Sequence, residues 1–287
     1  MIFRGTATAL ITPFTEDDKV DVKALCEIVE RQIASGVDAL VALGTTGEPA
    51  TLTEEEKKQV VEVCIKQTRG RVPVIVGAGS NSTRHAIETC RMAQNLGADG
   101  LLVVTPYYNK CTQEGLVEHY GAIADSTSLP IICYNVSSRT GVNMLPETFA
   151  RIAERKNVVG IKEASGNMEQ IEKCLALCPD KVISGDDALT LPIMAMGGLG
   201  VISVASNVCP KYVGDMTHFA LNGEWGKARK MQLALLPLIS ALFCEVNPIP
   251  IKKAMEIKGY CTSKLRLPLT DLTQSNTEKL AKILADF

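Results

Sequence analysis

The sequence has no strong excess of charge, no long apolar run and no clustered metal ligands, and each absence narrows its function. A net charge of −2 over 287 residues gives no general attraction to nucleic acid or anionic membranes. No basic cluster with interleaved aromatic residues occurs, so nucleic acid is not an expected partner. No run approaches the roughly 18 apolar residues of a membrane helix, and no membrane association is expected. Met1-Ile2-Phe3-Arg4-Gly5 lacks the charged segment and apolar stretch of a secretion signal, which argues against export. The three histidines, His85, His119 and His218, are too scattered for a metal-ligand motif. No metal is expected.

Cysteine is plentiful, but its pattern excludes a disulfide scaffold. The ten cysteines run from Cys26 to Cys261 without a C-x-x-C. The closest pair, Cys174 and Cys178, lies one helical turn apart and would close no useful loop. Several, Cys64, Cys90, Cys133 and Cys244, sit in apolar runs. A chain of this length builds its own core and needs no such bridges. Reduced, mostly buried thiols in a cytoplasmic protein are the expectation.

One pattern repeats along the chain: a short apolar run, then Gly, Ser, Thr or Asn, then an amphipathic stretch. The runs begin near Thr8-Ala9-Leu10-Ile11, Ala39-Leu40-Val41-Ala42, Val74-Ile75-Val76 and Leu101-Leu102-Val103-Val104. They continue at Ile131-Ile132-Cys133-Tyr134, Val159-Gly160-Ile161, Lys181-Val182-Ile183-Ser184 and Val201-Ile202-Ser203-Val204. Continuous apolar strands suit a parallel sheet buried on both faces. Between them, Val22 to Ala34 places Leu25, Ile28, Val29 and Ile33 at helical spacing. Thr53-Glu54-Glu55-Glu56 reads as a capping box with acids in the first turn. Helices end at Gly36, Gly70 and Gly97.

Eight strand–helix units predict an α/β fold, a (β/α)8 TIM barrel over residues 1–225. A doubly wound sheet is the alternative, but no G-x-G-x-x-G follows the first strand. After Cys209 no strand is evident. Residues 211–221, 224–245, 249–257 and 274–286 read as helical, and 226–287 form a C-terminal helical extension.

In such a barrel the chemistry lies at the carboxyl ends of the strands. Those ends carry Gly44-Thr45-Thr46-Gly47-Glu48, Thr105-Pro106-Tyr107-Tyr108-Asn109, Tyr134-Asn135 followed by Arg139-Thr140-Gly141, Lys162-Glu163, Ser184-Gly185-Asp186-Asp187, and Ser203 to Asn207. Taken singly, each has a plain structural reading: a turn, a core aromatic, a solvated loop arginine, a helix cap. Lys162 is the exception, the one charge within Val158-Val159-Gly160-Ile161-Lys162. Strand alternation puts Val158, Gly160, Lys162 and Ala164 on one side. Burial disfavours an ammonium ion, and a desolvated lysine attacks carbonyl carbon and forms Schiff bases. The other reading of Lys162 is a strand-end side chain that snorkels to water. Hydroxyls to shuttle protons and donors to hold a carboxylate are the company such a nucleophile needs.

These motifs, with Asn247-Pro248-Ile249-Pro250, resemble the dihydrodipicolinate synthase family of pyruvate-dependent class I aldolases, and the likeness spans essentially the whole chain. The resemblance implies condensation of pyruvate with aspartate 4-semialdehyde on the route to diaminopimelate and lysine, with no metal or organic cofactor. Lys162 matches the imine-forming lysine. Tyr134, Thr45 and Tyr108 match the proton-relay triad, with Tyr108 reaching in from a neighbouring subunit. The amides of Thr45 and Thr46 match the pyruvate-carboxylate site. Arg139 matches the residue that holds the semialdehyde carboxylate, and Gly185 and Ile202 match backbone contacts near the lysine. A homotetramer built from two tight dimers is implied.

Ser137 stands where many members have proline, which loosens the loop carrying Arg139 but removes no catalytic group. Lysine-inhibited members bind lysine at a subunit interface. Ala50, Asn81 and Tyr107 match that site, whereas Glu54, Lys57 and His85 do not, so weak or absent inhibition is expected. A related aldolase with another aldehyde and a catalytically dead barrel are the competing readings.

Overall fold

The computed structural model describes residues 1–287. Eight strands, β1 (Gly5–Ala9), β2 (Ala39–Ala42), β3 (Val74–Gly77), β4 (Gly100–Val104), β5 (Ile131–Asn135), β6 (Val158–Glu163), β7 (Val182–Ser184) and β8 (Gly200–Ser203), pair in sequence order. All neighbours are parallel, and β8 returns to β1 to close the barrel. This is a (β/α)8 TIM barrel, and closure rules out the doubly wound alternative.

Helices α1 (Val22–Ala34), α2 (Glu54–Thr68), α3 (Thr83–Leu96), α4 (Gln113–Asp125), α5 (Ser137–Thr140), α6 (Pro146–Ile152), α7 (Met168–Leu177), α8 (Thr190–Ala195) and α9 (Pro210–Leu221) follow the strands. Three more, α10 (Trp225–Leu242), α11 (Ile249–Ile257) and α12 (Gln274–Leu284), complete the chain. The Thr53–Glu56 capping box forms as expected, with both reciprocal hydrogen bonds present. The predicted glycine stops fall at or one residue beyond the caps. Gly97 caps α3, while Ser35 and Arg69 cap α1 and α2 just before Gly36 and Gly70.

Two apolar cores divide the strand residues by face. A small interior cluster fills the barrel with Ala7, Ala9, Ala39, Val41, Ile75, Leu102, Ile132 and Ile202. The large outer cluster lies between strands and helices, and it takes in Leu235, Leu238, Ile251, Met255 and Leu280 from α10 to α12. The C-terminal helices therefore share the barrel's own outer core.

Three sequence expectations need correction. The first strand begins at Gly5, not near Thr8, and Leu10 and Ile11 lie beyond its end. Its outward threonines are buried but paired, Thr8 donating to Gln32 at 2.7 Å and Thr6 meeting Thr217 at 2.8 Å. A polar outer face with partners hides the strand from an apolar-run search. Second, Val158 does not share a face with Lys162. The register shifts between Ile131 and Ile132, so Val158 pairs with Ile131 while Gly160 pairs with Ile132. Val159 is the extra residue, and Val158 joins the outer core. A bulge of one residue reverses the faces on one side of it. Third, Cys244 is exposed, just past the end of α10, although all ten cysteines are free and six are buried.

Buried His119 on α4 meets the Thr83 hydroxyl through Nδ1 at 2.9 Å, and its Nε2 has no partner. Burial pulls its pKa from 6.5 down to about 4. The native state therefore resists a proton that the unfolded chain accepts below about pH 6.5. Stability is lost as pH falls through that window, by about 2 kcal/mol between about pH 7 and about pH 5 from this group alone. Chemical-denaturation midpoints at the two pH values should show His119→Gln with a flatter dependence than the parent. An equal slope in both proteins would refute the assignment.

Candidate active site

The pairing of β5 with β6 sets Tyr134 directly across from Lys162, and Asn135 across from Glu163. Lys162 is 6% exposed, so the snorkelling reading fails. Its Nζ lies 4.3 Å from the centre of the Tyr134 ring, a cation–π contact that holds the amine against the phenol-bearing side chain.

The opposite faces of the same two strands are locked from outside by the next residues along. Asn135 donates to Glu163 Oε2 at 3.1 Å, and the Ser165 amide donates to Glu163 Oε1 at 2.8 Å. Gln170 and Asn143 close this buried network. Burial raises the Glu163 pKa, against these hydrogen bonds, which lower it. Shifting β5 by one residue against β6 would break the bonds that cross between them, from Asn135 to Glu163 and between Asn143 and Gln170, so the network favours the register that faces Tyr134 with Lys162.

Gly185 follows β7 beside the lysine. A Cβ there would stand 3.0 Å from Lys162 Cε and 2.6 Å from Ala164 Cβ. Only glycine leaves room for the lysine side chain to lie along this wall. Ile202, on β8, is buried in the barrel interior.

A cavity of about 530 Å³ opens at the carboxyl ends of the strands, with Thr45, Tyr107, Tyr134, Arg139 and Asn247 among its walls. Lys162 is not on the cavity wall itself; it sits against the Tyr134 ring. Thr45 and Thr46 occupy a 3₁₀ turn, Thr45–Gly47, whose own bonds run from Gly47 to Gly44 and from Glu48 to Thr45. The amides of Thr45 and Thr46 thus have no partner within the turn.

Arg139 lies on α5 and donates through Nη2 to the Asn247 carbonyl at 3.1 Å. Ser137 starts α5, and its carbonyl accepts the Gly141 amide at 2.9 Å, so the loop carrying Arg139 forms a helical turn with serine at this position. Tyr108 points away from this group. It is 90% exposed and left-handed, with φ 72.

Asp187 accepts the amides of Val204 and Ala205 at 3.0 and 3.1 Å. No group of three or more His, Cys, Asp or Glu side chains is arranged to hold a metal. In the sequence Asn247 stands out only as part of the Asn247-Pro248-Ile249-Pro250 motif. Its side-chain amide donates to the Thr46 hydroxyl at 3.0 Å while its carbonyl receives Arg139. The unusual Asn-Pro-Ile-Pro string was the available signal.

A closed barrel with a buried lysine against a tyrosine on adjoining strands, below a cavity with an arginine on its wall, defines an aldolase-type barrel lyase. The family model described as "Dihydrodipicolinate synthetase family" matches residues 2–287, and the chain belongs to that family. It is 51% identical over 288 residues to the 4-hydroxy-tetrahydrodipicolinate synthase of Geobacter sulfurreducens, covering 100% of this chain and 99% of that one. It is 50% identical over 287 residues to the enzyme of the same name from Caldicellulosiruptor bescii, covering 100% and 97%. The crystal structure of the chloride-inhibited dihydrodipicolinate synthase from Acinetobacter baumannii complexed with pyruvate superposes with a TM-score of 0.97. That pair shares 43% identity and covers 100% and 99% of the two chains.

Proposed function

We propose that this protein condenses pyruvate with L-aspartate 4-semialdehyde to 4-hydroxy-tetrahydrodipicolinate, through an imine on Lys162. The observation that carries the reading is the β5–β6 register, which puts Tyr134 against a buried amine at the mouth of the barrel. The Lys162 amine adds to the pyruvate ketone and water leaves. The resulting iminium acidifies the methyl group, Tyr134 relays the proton, and the enamine carbon bonds to the aldehyde carbon. The substrate's own amine then closes on the imine carbon and releases Lys162. The lysine supplies the electron sink, so this sequence of steps calls for no metal or organic cofactor.

In this reading the Thr45 and Thr46 amides hold the pyruvate carboxylate, and Arg139 holds the semialdehyde carboxylate as a charge-assisted pair. Gly185 and Ile202 border the lysine. Borohydride added with pyruvate tests the central step. Lys162 should gain the mass of a reduced pyruvate adduct, and an unmodified lysine would favour the dead-barrel reading. Offering several aldehydes in a coupled assay separates the synthase from an aldolase of other specificity.

Tyr108 serves a neighbouring subunit, a role supported by its near-complete exposure beyond its own cavity. The active species is then at least a dimer, and a tetramer of two tight dimers follows the family. A fully active monomer in sedimentation would contradict this. Ten free cysteines suit a reducing compartment, in keeping with a cytoplasmic enzyme, and no helix is long and apolar enough to cross a membrane.

Lysine should inhibit weakly or not at all. Lys57 lies beside the cavity, paired with Glu54 at 2.7 Å, and His85 stands 3.9 Å from the same carboxylate. The fixed ammonium of Lys57 both repels a second ammonium and occupies the carboxylate that could receive it. A rate titration with free lysine should stay flat through the low millimolar range. Half-inhibition below that range would overturn this expectation.

A further inference from the structure

The C-terminal helices reach the substrate end of the barrel at two points. Asn247, just before α11, bonds both Thr46 and Arg139. The second point is Lys252, in the middle of α11 and fully buried. Its ammonium donates to Glu48 Oε1 at 2.6 Å and to the Lys264 carbonyl at 2.6 Å. It also lies 4.0 Å from the centre of the Phe14 ring. The other carboxylate oxygen of Glu48 accepts the Arg266 amide at 3.3 Å.

Glu48 is an unusual anchor. It directly follows the Thr45–Gly47 turn, and its backbone is left-handed, with φ 53 and ψ 42. A residue with a Cβ avoids that region unless its surroundings enforce it. Glu48 also joins the turn to the next one, since its amide donates to Thr45 and its carbonyl accepts the Thr51 amide. The conformation of Glu48 therefore sets the direction of the chain through Thr45 and Thr46. A buried ion pair is a poor source of net stability, because desolvation opposes attraction. Burial indeed pulls the Lys252 pKa down even with Glu48 beside it. A geometric role accounts for the placement better than a stabilising one.

We propose that the buried Glu48–Lys252 pair is a positioning device for substrate. It holds Glu48 in the left-handed conformation that closes the Thr45–Gly47 turn and so presents the Thr45 and Thr46 amides to the pyruvate carboxylate. Glu48 borders the cavity but is almost fully buried and committed to Lys252 and the Arg266 amide, so its part is to position the turn. Through this pair α11 becomes part of the catalytic apparatus as well as of the outer core. The inference rests on the reading that these amides bind pyruvate.

The test compares three proteins: the parent, Glu48→Gln, and the double variant Glu48→Gln/Lys252→Met. The glutamine is nearly isosteric and still accepts a hydrogen bond from Lys252. The double variant removes both charges, so neither an unpaired carboxylate nor an unpaired ammonium stays buried. Thermal melts and near-ultraviolet circular dichroism establish the folded fraction. Steady-state rates then give KM separately for pyruvate and for the aldehyde, and borohydride trapping follows pyruvate at Lys162.

In the double variant the KM for pyruvate should rise roughly tenfold, equivalent to about 1.4 kcal/mol, with the aldehyde KM within about twofold of the parent. Glu48→Gln should shift the same constant in the same direction by a smaller factor. A merely structural pair would lower the melting temperature and leave both KM values unchanged per folded molecule. That result in both variants overturns the proposal. If borohydride traps no pyruvate even on the parent, the reading of the site fails first. If the parent is trapped and both variants match its pyruvate KM, only the positioning role fails.

Discussion

Replacing Lys162 with methionine should abolish turnover and pyruvate trapping together while the barrel stays folded. The nucleophile is the one group on β6 that can bond covalently to a ketone, and no other lysine lies beside Tyr134. Methionine keeps much of the length and apolar contact of the lysine stem along Gly185. Loss of the group that forms the covalent intermediate should lower kcat by at least about 10³-fold. Circular dichroism and melting of the variant serve as controls for folding. Retained activity within about tenfold of the parent would remove Lys162 from the covalent role.

Tyr134→Phe should separate bond formation from proton movement. The ring remains, so the stacking of Lys162 against it at 4.3 Å is preserved, and only the hydroxyl is lost. A positioned acid–base group contributes about 10²- to 10⁴-fold, and kcat should fall by that order. Because the amine is intact, borohydride should still trap pyruvate on Lys162, more slowly. A variant with parental kcat would show that another group carries the proton. A variant that neither turns over nor traps, yet folds, would mean that the hydroxyl also takes part in forming the imine.

The two variants divide the site along a line the fold draws. Lys162 and Tyr134 sit on strands and are fixed by backbone pairing, with the Glu163–Asn135 network behind them. Thr45, Thr46 and Arg139 sit on short turns beyond the strand ends, where Asn247 of the C-terminal segment holds Thr46 through its side-chain amide and Arg139 through its main-chain carbonyl. Substitutions in the first group should act on kcat. Substitutions in the supports of the second group, such as Glu48 and Lys252, should act on substrate KM.

Much of this arrangement is legible in the chain itself. Eight apolar runs, each followed by an amphipathic stretch, specify a parallel α/β sheet and predict a barrel, because parallel strands buried on both faces are largely apolar. A lone lysine inside such a run stands out for the same reason. Local signals such as the Thr53–Glu56 capping box depend only on neighbours in sequence, and they formed as read.

Features that depend on distant partners could not be read. The first strand was misplaced because Thr6 and Thr8 are satisfied by Thr217 and Gln32 from other elements. The bulge at Val159 arises from pairing with β5, and no property of the local sequence announces it.

The sequence by itself determined the fold class, the strand that carries Lys162 and the set of polar residues gathered at the strand ends, since periodicity and composition are local properties. Only the tertiary structure decided that Lys162 faces Tyr134, that Gly185 leaves space for its side chain, and that Lys252 on α11 reaches Glu48. Those facts follow from barrel closure, strand register and helix packing, which bring Glu48 and Lys252 together across 204 positions in the chain.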